Sequence, residues 1–312
     1  MLGDMDEQPL AGTVALVAGA TRGAGRALAV ELARAGAFVH ASGRSSRASG
    51  ASEIARPETI EDTLDLIEDA GGRGVAEVVD HTDPEQVAAL VERIRERHGR
   101  LDVLVNDIFG GDRYAQFDKP LWEHDLGGGL RMLRMGIDTH VITSALAIPL
   151  VLESGGGILV EMTDGPAEVN RDYRQGVGFY YDYVKGCIDR LITSLSAELA
   201  EQPVTVVGVT PGWLRSEAML ENFGVTEETW QEAADRIPGF GASETPTYVA
   251  RGVAALAADP DASRHHGVVL TARQLCDEYG VTDVDGSRPD CWGLIRDLGW
   301  EDQPTGLLHD YR

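Results

Sequence analysis

Seven short, valine-rich apolar runs alternate along the chain with amphipathic segments of helical length, and this alternation leaves few folds open. The runs are VALVAG (14–19), AFVHAS (37–42), VAEVVD (75–80), LDVLVN (101–106), GILVEM (157–162), VTVVGVT (204–210) and GVVLTA (267–272). Several are apolar at successive positions, so they need cover on both faces, as a parallel strand between two helix layers has. The intervening helical segments are 24–35, 57–70, 84–98, 131–152, 181–201 and 246–258. Asp83 before Pro84 reads as a helix start, and Gly36 as the stop of the first helix. The rhythm predicts an α/β fold with a doubly wound parallel sheet of about seven strands and helices on both faces.

Length permits one such unit. In 312 residues with no repeat or low-complexity linker, the pattern gives a single domain over 1–312, with a core over 10–272 and a C-terminal extension over 273–312. Two stretches break the rhythm. Residues 107–130, with GG, DKP and GGG, read as a loop-rich insertion. Residues 212–245 form a longer excursion at the carboxyl end of a strand, where α/β folds place ligand loops. The formal charge of -24 repels phosphate backbones and anionic lipid, which excludes nucleic acid and membrane as main partners. No run of about 18 uninterrupted apolar residues suits a membrane span. The acidic amino terminus lacks a basic-then-apolar leader, so the expected compartment is the cytoplasm. Cys187, Cys276 and Cys291 are odd in number and widely spaced, which suggests neither a disulfide framework nor a zinc site. His81, His98, His124, His140, His265 and His266 show no metal-ligand spacing and read as structural or surface residues.

The first strand runs directly into Gly19-Ala20-Thr21-Arg22-Gly23-Ala24-Gly25, and a helix follows. Glycines allow the sharp turn and close approach that a pyrophosphate needs over a helix amino terminus, where free N–H groups and the dipole favour negative charge. Such a turn also occurs without a ligand. Its place on the first strand of a βαβ series makes it the fingerprint of a dinucleotide-binding, Rossmann-type domain. The second strand ends in Ser42-Gly43-Arg44. An acid there would bind the ribose hydroxyl of NAD, whereas Arg44, with Arg22, suits the 2'-phosphate of NADP. NADP is therefore the expected cofactor, with NAD less favoured. Asp80 and His81 after the third strand and Asn106 after the fourth are candidate cofactor contacts, or simply loop caps.

Tyr181 and Lys185 stand four apart and share one helical face. The chain has only two lysines, Lys119 and Lys185. A phenol is a poor acid–base group at neutral pH, and a nearby ammonium favours its ionised form. At about 4 Å and an effective dielectric near 20, that attraction is worth roughly 4 kcal/mol, or about three pK units. The spacing alone occurs often by chance.

Together, AGATRGAG (18–25), NDIFG after strand four, YDYVK (181–185) and VTPGWLRS (209–216) resemble the short-chain dehydrogenase/reductase family over roughly residues 10–272. The tail YGVTDVDG (279–286) further resembles the branch of that family containing dehydrogenase/reductase member 1 and many bacterial proteins. The resemblance implies that Tyr181 is the acid–base residue and that Lys185 lowers its pKa and holds the nicotinamide ribose. It also implies that Pro211, Gly212, Trp213 and Ser216 meet the nicotinamide end. Two family positions differ: the usual serine aligns with Asp164, with Thr163 beside it, and the usual helix asparagine aligns with Gly136. A carboxylate there would oppose an alkoxide, so Asp164 is expected to donate as an acid, to turn away in favour of Thr163, or to mark lost turnover. The leading function is a cytoplasmic NADP-dependent oxidoreductase, acting as carbonyl reductase or alcohol dehydrogenase on a small-molecule carbonyl or alcohol. The alternative is a nucleotide-binding sensor or scaffold protein with little turnover. Arg171, Tyr173, Arg174, Trp213, Arg215, Met219 and Phe223 are candidate substrate contacts. The family's habit of pairing the helices at 131–152 and 181–201 implies a homodimer or homotetramer.

Overall fold

The computed structural model describes residues 8–117 and 119–312. The acidic stretch over residues 1–7 and Asp118, both read above from the sequence, lie outside the described residues. In chain order the elements are β1 (Val14–Ala18), α1 (Gly23–Arg34), β2 (Phe38–Gly43), α2 (Ile60–Asp69), β3 (Arg73–Val78), α3 (Pro84–His98) and β4 (Val103–Asn106). Next come α4 (Leu126–Leu133), α5 (Thr139–Glu153), β5 (Gly157–Met162), α6 (Ala167–Asn170), α7 (Phe179–Glu198) and β6 (Val204–Thr210). The remainder holds α8 (Glu217–Phe223), α9 (Trp230–Ala234), α10 (Pro246–Ala257), β7 (Val269–Thr271), α11 (Ala272–Tyr279) and α12 (Cys291–Leu298).

The strands pair in the order β3-β2-β1-β4-β5-β6-β7, every neighbour parallel. The valine-rich runs are therefore covered on both sides. Leu28 and Leu32 of α1 pack with Val249 and Val253 of α10 on one face, and Leu90 and Ile94 of α3 with Leu150 of α5 and Ile188 of α7 on the other. Each such side chain contributes roughly 1.5–3 kcal/mol on full burial. Local signals set the ends: Asp83 accepts from the N–H groups of Glu85 and Gln86, and Gly36 follows α1 at φ +104°.

The expected loop over 107–130 is only partly a loop. Short 3-10 turns cover 112–114 and 121–123, and then α4 begins inside the glycine run. Asp125 starts it by accepting the Gly128 N–H at 2.8 Å. Tertiary packing overrides the poor helix propensity of glycine here, because a Cβ on Gly129 would overlap the Tyr180 ring. Helix α4 thus lies against α7, just where the candidate tyrosines sit. A π-turn over 134–138 joins α4 to α5. The resulting helix, Leu126–Glu153, is long and apolar enough by length and composition to cross a bilayer, but half of its most apolar stretch is buried. That is the packing of a core helix.

Residues 212–245 fold as an excursion with a core of its own, in which Trp230 and Phe240 are buried against Trp213, Met219, Leu220 and Phe223. The C-terminal extension is pinned to the domain: the Trp292 indole N–H donates to the Pro211 carbonyl at 2.7 Å, and Asp283 accepts the Thr245 N–H at 2.9 Å.

Candidate active site

The strand order reverses between β1 and β4, and the crevice beyond their carboxyl ends is where doubly wound folds bind ligands. Gly19 turns the chain there at φ +92°, and a side chain on it would overlap the Asp107 carbonyl. Gly25 seats α1 in the same way, since its Cβ would overlap the Gly19 carbonyl and lie 2.9 Å from Asp107 Oδ2. No side chain caps α1. Instead the Gly23 N–H donates to Glu217 Oε2 at 2.9 Å, so this turn already holds an oxyanion, the type of group a pyrophosphate would present. Thr21, Arg22, Gly23, Ala24 and Ser216 line the cleft at this end.

Arg44 and Asp80 line the other end. The Arg44 guanidinium lies 3.6 Å from Glu53 and 4.0 Å from Asp80, while burial holds the Arg22 guanidinium below its ordinary value. His81 also borders the cleft, but its ring is committed inward, to Ser42 Oγ at 2.9 Å and Thr143 Oγ1 at 2.8 Å. Burial pushes its pKa down to about 4, so it is neutral, and Ser42 is buried with it. Asn106 is likewise buried, donating to Ser144 Oγ at 2.9 Å and Glu161 Oε1 at 2.8 Å in a network completed by His140. It braces β4, β5 and α5, with its Oδ1 lacking a partner among the described residues. Pro211, Gly212 and Trp213 stand outside the lining of the cleft. Pro211 accepts from Trp292, the Gly212 N–H donates to Glu244 Oε2 at 3.0 Å, and Trp213 packs edge-on to Phe240. Of that segment Leu214 and Ser216 border the cleft.

Tyr181 and Lys185 do share one face of α7, around the ring of Phe109, which borders the cleft while they themselves stand behind it. Lys185 Nζ lies 4.0 Å from the Phe109 ring centre and 5.5 Å from that of Tyr181. The Tyr181 hydroxyl donates to Asp164 Oδ2 at 2.8 Å, and Arg174 Nη1 stands 3.4 Å from the same oxygen. Burial and the Asp164 carboxylate push the phenol well above its ordinary value. The expected lowering by Lys185 is therefore reversed, because the ammonium lies over the aromatic faces while a carboxylate occupies the hydroxyl. Thr163 does not serve in place of Asp164: buried, it turns toward α7, with Oγ1 3.5 Å from the Lys185 carbonyl and 3.4 Å from Asp189. At Gly136 a Cβ would come within 2.5 Å of Val184, so the position of the missing asparagine is closed by α7 itself.

Of the expected substrate contacts, only Arg174 turns into the site. It is buried, with Nε and Nη2 lacking hydrogen-bond partners among the described residues. Arg171 and Tyr173 are exposed, and Met219 and Phe223 fill the excursion's own core. Arg215 is a structural pin, paired with Glu227 at 2.9 Å and Asp283 at 3.6 Å. The sequence reading passed over Asp107, whose buried carboxyl is pushed up to about 6 by desolvation. It also passed over Phe109 and Glu217. The first two lie within the quoted NDIFG motif and Glu217 directly follows Ser216, but their spatial roles have no local signal. Among the described residues no group of carboxylates, histidines and cysteines could hold a metal ion.

A family model described as enoyl-(acyl carrier protein) reductase matches residues 19–272. The chain belongs to the short-chain dehydrogenase/reductase family. It is 31% identical to dehydrogenase/reductase SDR family member 1 of Mus musculus, over 94% of this chain and 92% of that protein. It is 30% identical to a 7α-hydroxysteroid dehydrogenase of Clostridium sardiniense, over 73% of this chain and 80% of that one. The fold matches a 7α-hydroxysteroid dehydrogenase complexed with NADH and 7-oxo glycochenodeoxycholic acid, with a TM-score of 0.69 and 22% identity over 92% of this chain and 99% of that one. Dehydrogenase/reductase chemistry with a nicotinamide dinucleotide is thus the activity class of this short-chain dehydrogenase/reductase, and the sensor or scaffold reading is not favoured.

Proposed function

We propose that this short-chain dehydrogenase/reductase is an NADP-dependent oxidoreductase that interconverts a small-molecule alcohol and carbonyl, with Tyr181 as its acid–base residue. The observation that carries the reading is the placement of Tyr181 and Lys185 around Phe109, a residue that borders the same cleft as the glycine turn. When bound, the nicotinamide supplies or takes the hydride. Gly19, Gly23 and the α1 amino terminus would hold the pyrophosphate, with Glu217 yielding the Gly23 N–H to it. Arg44 and Arg22 would pair with the 2'-phosphate, and Ser216 and Lys185 would hold the nicotinamide end. Tyr181 would move the proton at the substrate oxygen.

Hydride exchange with a panel of ketones and alcohols tests this: Tyr181→Phe is expected to lose at least about 100-fold, the range a general acid–base contributes. Equal rates in both proteins remove Tyr181 from the mechanism. For the cofactor, Arg44→Glu is expected to reverse the preference for NADPH over NADH in direct binding, and an unchanged ratio refutes the role of Arg44. Three free thiols suit a reducing compartment, in keeping with a cytoplasmic enzyme. Val141 on α5 and Tyr183 on α7 are exposed, and these helices would form the contacts of a homodimer or homotetramer.

A further inference from the structure

The hydrogen bonds around Tyr181 place a proton acceptor behind it. A phenol has a single O–H, and here it is given to Asp164 Oδ2 at 2.8 Å. What Tyr181 then offers a substrate is the lone pairs of its oxygen. A ketone oxygen is itself only an acceptor and finds no donor at such a hydroxyl. An alcohol donates, and completes a chain from substrate O–H to Tyr181 Oη–H to carboxylate. Arg174 closes the far end: its guanidinium, buried beneath the surface, lies 3.4 Å from the same Asp164 oxygen and 3.6 Å from Asp182.

We propose that the Asp164 carboxylate, braced by Arg174, is the proton acceptor behind Tyr181 when an alcohol is oxidised. In the step, the alcohol proton passes to Tyr181 Oη as the Tyr181 proton passes to Asp164 Oδ2. The carbinol C–H pair leaves as hydride to the oxidised nicotinamide dinucleotide, the C–O bond becomes a carbonyl, and the Asp164 acid later returns its proton to water. The inference rests on the oxidoreductase reading and adds its terminal base. The charges facing the pair are consistent with this order. Arg174 comes from the segment before α7, Lys185, Asp182 and Asp189 from α7, Asp112 from the turn after β4, and Cys291 from α12. Burial together with Asp164 and Asp112 opposes a free phenolate, so Tyr181 passes a proton on instead of storing a charge.

The test has two arms. In the unliganded protein carrying tyrosine labelled with carbon-13 at the ζ carbon, the Tyr181 signal is assigned by its loss in Tyr181→Phe. Asp164→Ser and Asp164→Asn are expected to bring its titration to lower pH, and an unmoved titration overturns the coupling. In the second arm, matched secondary alcohols and ketones are assayed with NADP and NADPH. Asp164→Ser is expected to lose at least tenfold in kcat for oxidation. Oxidation as fast in Asp164→Ser as in the wild type, while still dependent on Tyr181, overturns the relay alone. Equal rates in wild type and Tyr181→Phe, or no hydride transfer with any pair, overturn the oxidoreductase reading and the relay with it.

Discussion

Replacing Asp107 with asparagine is expected to stabilise the protein at alkaline pH and to do little in acid. Asp107 is a carboxyl under the glycine turn, where burial pushes its pKa from 3.8 to about 6 against the opposing pull of Lys185 and His140. The folded state therefore binds this proton more tightly than the unfolded chain does. Stability from the group is fully present below pH 3.8 and is lost as pH rises through about 6. The whole shift corresponds to about 3 kcal/mol, of which roughly 2 kcal/mol falls between pH 4.5 and pH 8. The amide keeps the shape and an acceptor for the Gly25 N–H but cannot ionise. Urea unfolding of wild type and Asp107→Asn at a series of pH values measures the effect, because the difference between the curves cancels every other titrating group. A stability difference that stays flat from pH 4.5 to pH 8 refutes the burial argument. Because the same carboxyl lines the cleft, affinity for the nicotinamide dinucleotide should weaken as pH rises through the same window in the wild type and not in the variant.

Two further substitutions probe the packing behind the site. Gly129→Ala puts a methyl into the Tyr180 ring and is expected to cost about 1–3 kcal/mol in chemical unfolding, with a fall in kcat as α4 pushes on α7; an unperturbed protein would show that the helices do not touch there. Arg215→Ala leaves the buried Asp283 and the partly exposed Glu227 without their guanidinium. It is expected to cost about 3–5 kcal/mol and to expose residues 212–245 to limited proteolysis before the sheet, whereas unchanged cleavage would remove the arginine as the pin.

The sequence by itself determined the sheet and its ligand end. Apolar runs that need cover on both faces and spacers of helical length leave a parallel sheet as the only economical packing, and Gly19 and Gly25 must be glycine where backbones cross. It also placed Tyr181 and Lys185 on one face, since a spacing of four is a property of the helix alone. What it could not fix was the sign of their interaction. Spacing says nothing of where an ammonium points or what else approaches the hydroxyl, and only tertiary packing set Lys185 over Phe109 and brought Asp164 and Arg174 to the phenol. The glycine run in α4 went unread for the same reason, because its helix is stabilised by contact with Tyr180 and not by its own propensity. Trp213, Met219 and Phe223 were legible as an apolar group, but whether such side chains face a ligand or one another depends on the path of the intervening backbone. That path is held by Arg215 and Asp283, 68 residues apart in sequence and joined only in the folded chain.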